Sequence, residues 1–258
     1  MKRNNPHVVT VDTLASLTVG NGEFAYTVDV TGLQTFPELY RNGVPLGTQS
    51  QWGWHSFPNP DNLRHEETLK SYDFGHGHPE LYSTQLKEPE RGKSASDWYR
   101  VNPHRLHLGI IGFDGVKKSQ ISNIDQTLDM WSGTVTSDFK VDSHPVKVMT
   151  ACHPDRDMIS AEITSAAHLP VVFRMPYPTG AHADDACDWT RDSLHITEVV
   201  RSGSNSALLR HTLDDTSYYI NVSWTGNVTP EVKGRNEWVL RPSSDTWSFT
   251  AEFTPAES

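Results

Sequence analysis

Residues 128–164, LDMWSGTVTSDFKVDSHPVKVMTACHPDRDMISAEIT, decide the fold class of this chain. Apolar and polar residues alternate over 128–141, 146–151 and 158–164, and a period of two predicts half-buried β-strands. The intervening segments, DSHP and HPDRD, are rich in residues that favour turns. Connections this short join antiparallel neighbours. The stretch therefore predicts an antiparallel meander.

Similar segments continue on both sides of this meander. They occupy residues 7–12, 23–30, 106–113, 169–175, 194–200, 207–212, 217–224, 237–240 and 246–253. That many strands in one sheet would twist strongly, so we expect two packed sheets. Helical periodicity is nearly absent, and no βαβ alternation occurs. The chain is therefore predicted to be an all-β, antiparallel two-sheet sandwich that forms one domain over residues 1–258.

Residues 49–102 differ from this pattern, because they are rich in Pro, His, Gly, Trp and charge and show weak periodicity. Long loops in compact domains are usually functional or disordered, and the aromatic residues argue against disorder. Within this loop region, QWGWHSFP brings Trp52, Trp54 and His55 together. Trp faces stack on sugar rings, and His can bond sugar hydroxyls. We expect these three residues to line a carbohydrate site, with core or interface anchoring as the alternative.

Composition and motifs exclude several classes of function. A net charge of −10 argues against a nucleic-acid partner. The sequence contains no run of about 18 apolar residues, which is the length that a membrane-spanning helix needs. No P-loop or dinucleotide fingerprint is present, so no cofactor is expected. His76 and His78, with Asp73 nearby, match no specific zinc spacing, so no metal site is expected. Cys152 and Cys187 either form a disulfide or remain two buried thiols.

Catalytic residues are not evident in the sequence. Hydrolysis of a glycosidic bond needs two carboxyls at a defined separation, whereas Asp184-Asp185 and Asp214-Asp215 are adjacent pairs in turn-like contexts. His104, His107 and Glu162 are the candidates for a histidine acid and a carboxylate base, but no known signature surrounds them. No catalytic residue is therefore assigned.

Three stretches occur in an order and spacing that one family shares. Residues 17–25 (LTVGNGEFA) resemble the family's Gly-Asn-Gly hairpin, residues 128–133 (LDMWSG) with 146–151 following resemble its paired strands, and residues 152–159 (CHPDRDMI) resemble its turn that leads into a strand. Together they resemble the N-terminal β-supersandwich domain of the six-hairpin glycosidases, which include maltose-phosphorylase-like and α-fucosidase-like enzymes. The resemblance covers nearly the whole chain.

The resemblance implies a galactose-mutarotase-like supersandwich that precedes a catalytic (α/α)6 barrel. No helical repeat follows the last predicted strand, so we expect a non-catalytic N-terminal domain of a glycoside hydrolase or phosphorylase. Its implied partners are carbohydrate and the downstream barrel. An enzyme that attacks external glycans would be periplasmic or secreted, although this chain shows no signal peptide. A stand-alone carbohydrate-binding module and an aldose-epimerase-like enzyme remain alternatives.

Overall fold

The computed structural model describes residues 2–183 and 186–257 and contains two compact units. The first unit comprises residues 1–53, 107–179 and 183–258, and the second comprises residues 54–106 and 180–182. Most of the predicted loop region, residues 49–102, belongs to the second unit, and the single domain over residues 1–258 stays a prediction.

The described residues contain two α-helices and four short 3₁₀ turns. The helices are α1 (Pro37–Tyr40) and α2 (Glu90–Val101), and the 3₁₀ turns are Lys2–Asn4, His65–Thr68, Lys118–Gln120 and Asp192–Leu194. The first nine strands are β1 (His7–Val8), β2 (Leu17–Gly20), β3 (Phe24–Val28), β4 (Thr48–Ser50), β5 (Trp54–His55), β6 (Leu69–Tyr72), β7 (Glu80–Ser83), β8 (His104–Arg105) and β9 (Ile110–Phe113). The others are β10 (Ile121–Asp129), β11 (Thr134–Val141), β12 (His144–Cys152), β13 (Met158–Thr164), β14 (Val171–Arg174), β15 (Tyr177–Pro178), β16 (Cys187–Asp188), β17 (His195–Ser202), β18 (Ser206–Leu213), β19 (Thr216–Thr225), β20 (Val228–Gly234), β21 (Glu237–Pro242) and β22 (Thr246–Thr254).

The first unit is a two-layer antiparallel sandwich. Among the described residues, one layer is a nine-stranded sheet in the order β1-β10-β11-β12-β13-β22-β19-β18-β17. The other layer contains the sheets β20-β21-β14-β9 and β2-β3-β4. Aromatic pairs join the layers, for example Phe173 with Phe249 at 5.8 Å and Trp224 with Trp238 at 6.0 Å between ring centroids. The prediction of an all-β antiparallel sandwich is confirmed.

Strand β13 shows why the sequence pattern predicts this sandwich. Ile159, Ala161 and Ile163 are buried between the layers, whereas Glu162 and Thr164 are exposed on the outward face. The predicted strand 128–141 is corrected, because the chain turns between β10 and β11 and Trp131 lies in that turn with 77% of its surface exposed. The sequence analysis missed β20, whose Pro230 is unusual within a strand.

The second unit contains the hairpin β6–β7, the pair β5–β8 and helix α2. Helix α2 follows Pro89 and carries an i,i+4 ion pair between Lys93 and Asp97 at 2.6 Å. Its buried positions are Gly92, Ala95 and Ser96, which give almost no apolar periodicity. The sequence analysis missed the helix for that reason. No helix within the described ranges is long and apolar enough to cross a membrane.

Candidate functional site

Trp52 is hydrogen-bonded to the turn between β12 and β13 through one carboxylate, that of Asp157. Its indole Nε1–H donates to Asp157 Oδ2 at 2.7 Å, and the Ser50 hydroxyl donates to the same oxygen. The Trp52 ring is half-buried, with its centroid 6.2 Å from that of Tyr218. The polar edge of Trp52 therefore bonds to protein.

Asn21 joins the β2–β3 turn to the same region. Its Nδ2 donates to the carbonyls of His153 at 3.3 Å and Arg156 at 3.1 Å. Its Oδ1 accepts from the backbone N–H groups of Glu23 and Phe24 at 3.0 and 2.8 Å. One side chain thus closes its own turn and also binds a turn more than a hundred residues away.

We call Asn21, Ser50, Trp52 and Asp157 the motif junction. Asn21 belongs to the Gly-Asn-Gly stretch, and Asp157 belongs to the CHPDRDMI stretch. Two of the three stretches that carry the family resemblance therefore meet in space through hydrogen bonds. The junction fixes turns of the sandwich.

Trp54 and His55 lie in the second unit and differ in exposure. Trp54 is 47% exposed, and the guanidinium carbon of Arg105 lies 4.2 Å from the centroid of its ring. His55 is only 2% exposed and packs against Phe57 at 5.4 Å. Trp54 is therefore the most accessible of the three predicted site residues. The carbohydrate-lining role of Trp52, Trp54 and His55 stays a prediction.

The candidate acid–base histidines have their ring nitrogens in hydrogen bonds. His104 Nδ1–H donates to Val101 O at 2.8 Å, and its Nε2 lies 3.1 Å from His55 Nδ1. His107 Nδ1 accepts from the backbone N–H of Gly109 at 3.0 Å, so Nε2 carries the proton and donates to Leu46 O at 3.2 Å. Each imidazole is thus held in one orientation.

The remaining candidates give no reaction centre. Glu162 is exposed on the outward face of β13, and Asp214 lies in the β18–β19 turn, where its carboxylate accepts from Tyr177 Oη at 2.8 Å. The pair Asp184-Asp185 lies outside the described residues. Within the described part of the chain, no group of three or more His, Cys, Asp or Glu side chains could hold a metal ion. Cys152 and Cys187 are half-buried thiols that are not joined in a disulfide.

Two buried histidines, missed by the sequence analysis, lie side by side on β17 and β18. The ring centroids of His195 and His211 are 5.1 Å apart. His211 Nδ1 bonds Thr197 Oγ1 at 2.8 Å, while His211 Nε2 and His195 Nδ1 have no hydrogen-bond partner among the described groups. Burial lowers the pKa of His195, and burial with the nearby His195 lowers the pKa of His211 to about 3. Both rings are therefore neutral near pH 7.

An open cleft lies over the outward face of β3 and β4 in the first unit. Its volume is about 230 Å³. Ala25, Thr27 and Gln49 form the floor, because they alternate with the buried residues of these strands. Trp189 and His107 border the same cleft. We call it the Trp189 pocket.

Helix α1 supplies a further wall of the Trp189 pocket through Glu38, and Arg41 follows directly after the helix. The connection before α1 is held by Asp29, whose carboxylate accepts from the backbone N–H groups of Thr31 and Phe36 at 2.8 and 2.7 Å. Burial raises the pKa of Asp29 to about 6, although these hydrogen bonds lower it. The connection that precedes helix α1 is therefore buried and held by hydrogen bonds.

Sequence reasoning missed the Trp189 pocket because no motif surrounds its residues. The available signal was weak: Trp189 is a lone tryptophan within the polar stretch HADDACDWTRD. The other lining residues come from segments far away in the chain, and a single sequence does not show which segments meet.

Comparisons with known proteins find similarity among solved structures. No family model and no curated protein matches the sequence. A solved structure, a putative kojibiose phosphorylase from the human microbiome, is similar over 96% of this chain and 32% of its own chain, with 10% identity and a TM-score of 0.47. The chain thus spans about a third of the length of that protein.

Proposed function

We propose that this chain is the non-catalytic N-terminal supersandwich domain of a carbohydrate-active enzyme, a glycoside hydrolase or phosphorylase. The motif junction is the observation that carries the proposal. The Gly-Asn-Gly and CHPDRDMI stretches, recognised separately in the sequence, are joined by Asn21. Stretches that resemble one family and also meet in space support a shared architecture more strongly than either stretch alone.

The hydrogen bonds of His107 support the non-catalytic part of the proposal. A general acid or base needs a ring nitrogen that can exchange a proton with substrate. The nitrogens of His107 bond backbone groups, and Glu162 faces outward on another sheet. In this proposal, the chain stabilises the catalytic domain, and the whole enzyme is periplasmic or secreted.

The test is an activity assay on the 258-residue chain and on a longer parent protein. Both are incubated with a panel of nitrophenyl glycosides and oligosaccharides, with and without phosphate. We expect turnover by the parent alone. Turnover or anomer interconversion by the isolated chain would overturn the proposal, and Glu162→Gln and His107→Asn would then show whether the epimerase-like alternative applies. Carbohydrate binding without a role in any parent enzyme would favour the stand-alone binding module.

A further inference from the structure

The Trp189 pocket has a rigid aromatic wall. The Arg174 guanidinium carbon lies 5.2 Å from the centroid of the Trp189 ring, and His107 meets that ring edge-on at 5.7 Å. Arg174 is itself held by Glu237, with 2.9 Å between Arg174 Nε and Glu237 Oε1. His107 is held by its two backbone hydrogen bonds. A ring held by two fixed neighbours loses little conformational freedom when a ligand stacks against it.

The floor of the pocket is open beside Ala25 and Gly47, which carry the smallest side chains of its lining. Ala25 stands opposite Gln49 in the β3–β4 pairing, and both side chains point outward. A Cβ added to Gly47 would come no closer than 3.7 Å to His107, so space remains between that backbone and the imidazole. The volume of about 230 Å³ is below the range of roughly 300–1,000 Å³ typical of drug-sized ligands. One six-membered ring is the appropriate size.

The polar lining suits a neutral ligand with many hydroxyl groups. Glu38, Arg41 and Gln49 are exposed along the pocket and offer both donors and acceptors. Arg174 lies next to two carboxylates, Glu237 at 2.9 Å and Glu38 at 3.9 Å, so the positive charge beside Trp189 is balanced. A phosphate or carboxylate ligand would meet Glu38 in the same cleft, which disfavours an anion.

We infer that the Trp189 pocket binds one sugar ring, with a ring face stacked on Trp189 and hydroxyls bonded by Glu38, Arg41 and Gln49. The choice of carbohydrate as the ligand class rests on the proposed function. The inference of a binding site rests on the fixed aromatic wall, the open floor and the mixed-charge lining. Such a site would hold a glycan on the domain without catalysing any reaction.

The test uses the whole chain labelled with 5-fluorotryptophan and observed by ¹⁹F NMR. The resonance of Trp189 is assigned from the Trp189→Phe variant. D-glucose, D-galactose, L-fucose and maltose are titrated separately, and we expect at least one of them to shift the Trp189 resonance with a Kd of about 1 mM. The Ala25→Leu variant fills the floor without touching the core, and we expect it to weaken binding by at least about tenfold.

The matched control is Trp131→Ala, which removes an exposed tryptophan in the β10–β11 turn and should leave the titration unchanged. The inference is overturned if none of the four sugars shifts the Trp189 resonance, or if the shift survives in a folded Ala25→Leu variant. Neither result affects the proposed accessory role. Conversely, turnover of sugars by the chain would overturn the accessory role and leave the binding site standing.

Discussion

The motif junction and the Trp189 pocket both lie in the first unit, and each contains a half-buried tryptophan. At the junction, the Trp52 indole N–H donates to Asp157, and Asn21 uses both its oxygen and its nitrogen within the protein. At the pocket, the exposed side chains of Glu38 and Gln49 border open volume. Polar groups that are satisfied internally stabilise a fold, and those that face a cleft are available to a ligand.

The comparison shows that the motif residues and the residues of the candidate ligand site are different sets in this chain. The residues that resemble a known family hold turns together, whereas the residues best placed to bind a ligand belong to no motif. A motif in this chain therefore identifies architecture, and a ligand site has to be found by geometry. Variants at the two places should consequently affect different measurements.

The largest expected effect is on stability at the junction. Asp157→Ala leaves the Trp52 indole N–H and the Ser50 hydroxyl without their charged acceptor, and we expect a loss of about 2–4 kcal/mol in the free energy of unfolding. Urea denaturation followed by circular dichroism measures it. Asp155→Ala, in the exposed part of the same turn, is the control and should change stability by less than about 0.5 kcal/mol. Equal losses in both variants would contradict the role of the junction.

The second expected effect is a pH dependence of stability that arises from the buried pair His195 and His211. These histidines add to the comparison a case of buried polar atoms without hydrogen-bond partners. The pKa of His211 falls from its ordinary value of 6.5 to about 3 on folding, so the unfolded chain binds a proton more readily. Stability should therefore be complete above about pH 6.5 and fall by up to about 1.4 kcal/mol per pH unit as the pH decreases toward 3.

Urea denaturation at about pH 7.5 and about pH 5 tests this pH dependence. The His211→Gln variant cannot titrate, so its stability should change less between the two pH values. His144→Gln, at the exposed start of β12, is the control and should keep the slope of the parent chain. A slope that His211→Gln does not reduce would show that other groups cause the acid sensitivity.

A smaller effect at the junction distinguishes the two functions of Asn21. Asn21→Asp retains the oxygen that closes the β2–β3 turn but loses the two Nδ2 hydrogen bonds to the distant turn. We expect a loss of about 1–2 kcal/mol, and a larger loss for Asn21→Ala, measured by thermal and urea unfolding. Asn42→Asp at an exposed position is the control. If Asn21→Asp is as stable as the parent, the link between the two turns contributes little.

The smallest expected effect is the stability change from filling the Trp189 pocket. Ala25→Leu points outward from β3, so the free energy of unfolding should stay within about 0.5 kcal/mol of the parent value. Differential scanning calorimetry is the measurement. A loss as large as that of Asp157→Ala would mean that the floor of the cleft is packed and belongs to the core.

Prediction from sequence succeeded where the signal is local. The strand predicted over 158–164 coincides with β13, because Ile159, Ala161 and Ile163 alternate with polar residues and are all buried. It failed for α2, because the buried positions of this helix, Gly92, Ala95 and Ser96, are small residues that give almost no apolar period. The substrate role of Trp52, Trp54 and His55 stays a prediction, and the structure adds that one of them is exposed.

The sequence by itself determined the all-β class and the antiparallel meander, because period-two alternation and turn residues act between neighbours along the chain. Only the tertiary structure decided that Asn21 meets the turn at Arg156 and that Trp189 lies beside Ala25 and His107. The physical reason is that hydrogen bonds and clefts depend on which distant segments the packing of the two layers brings together. The sequence alone does not distinguish a tryptophan whose N–H donates to a carboxylate from one whose ring borders an open cleft.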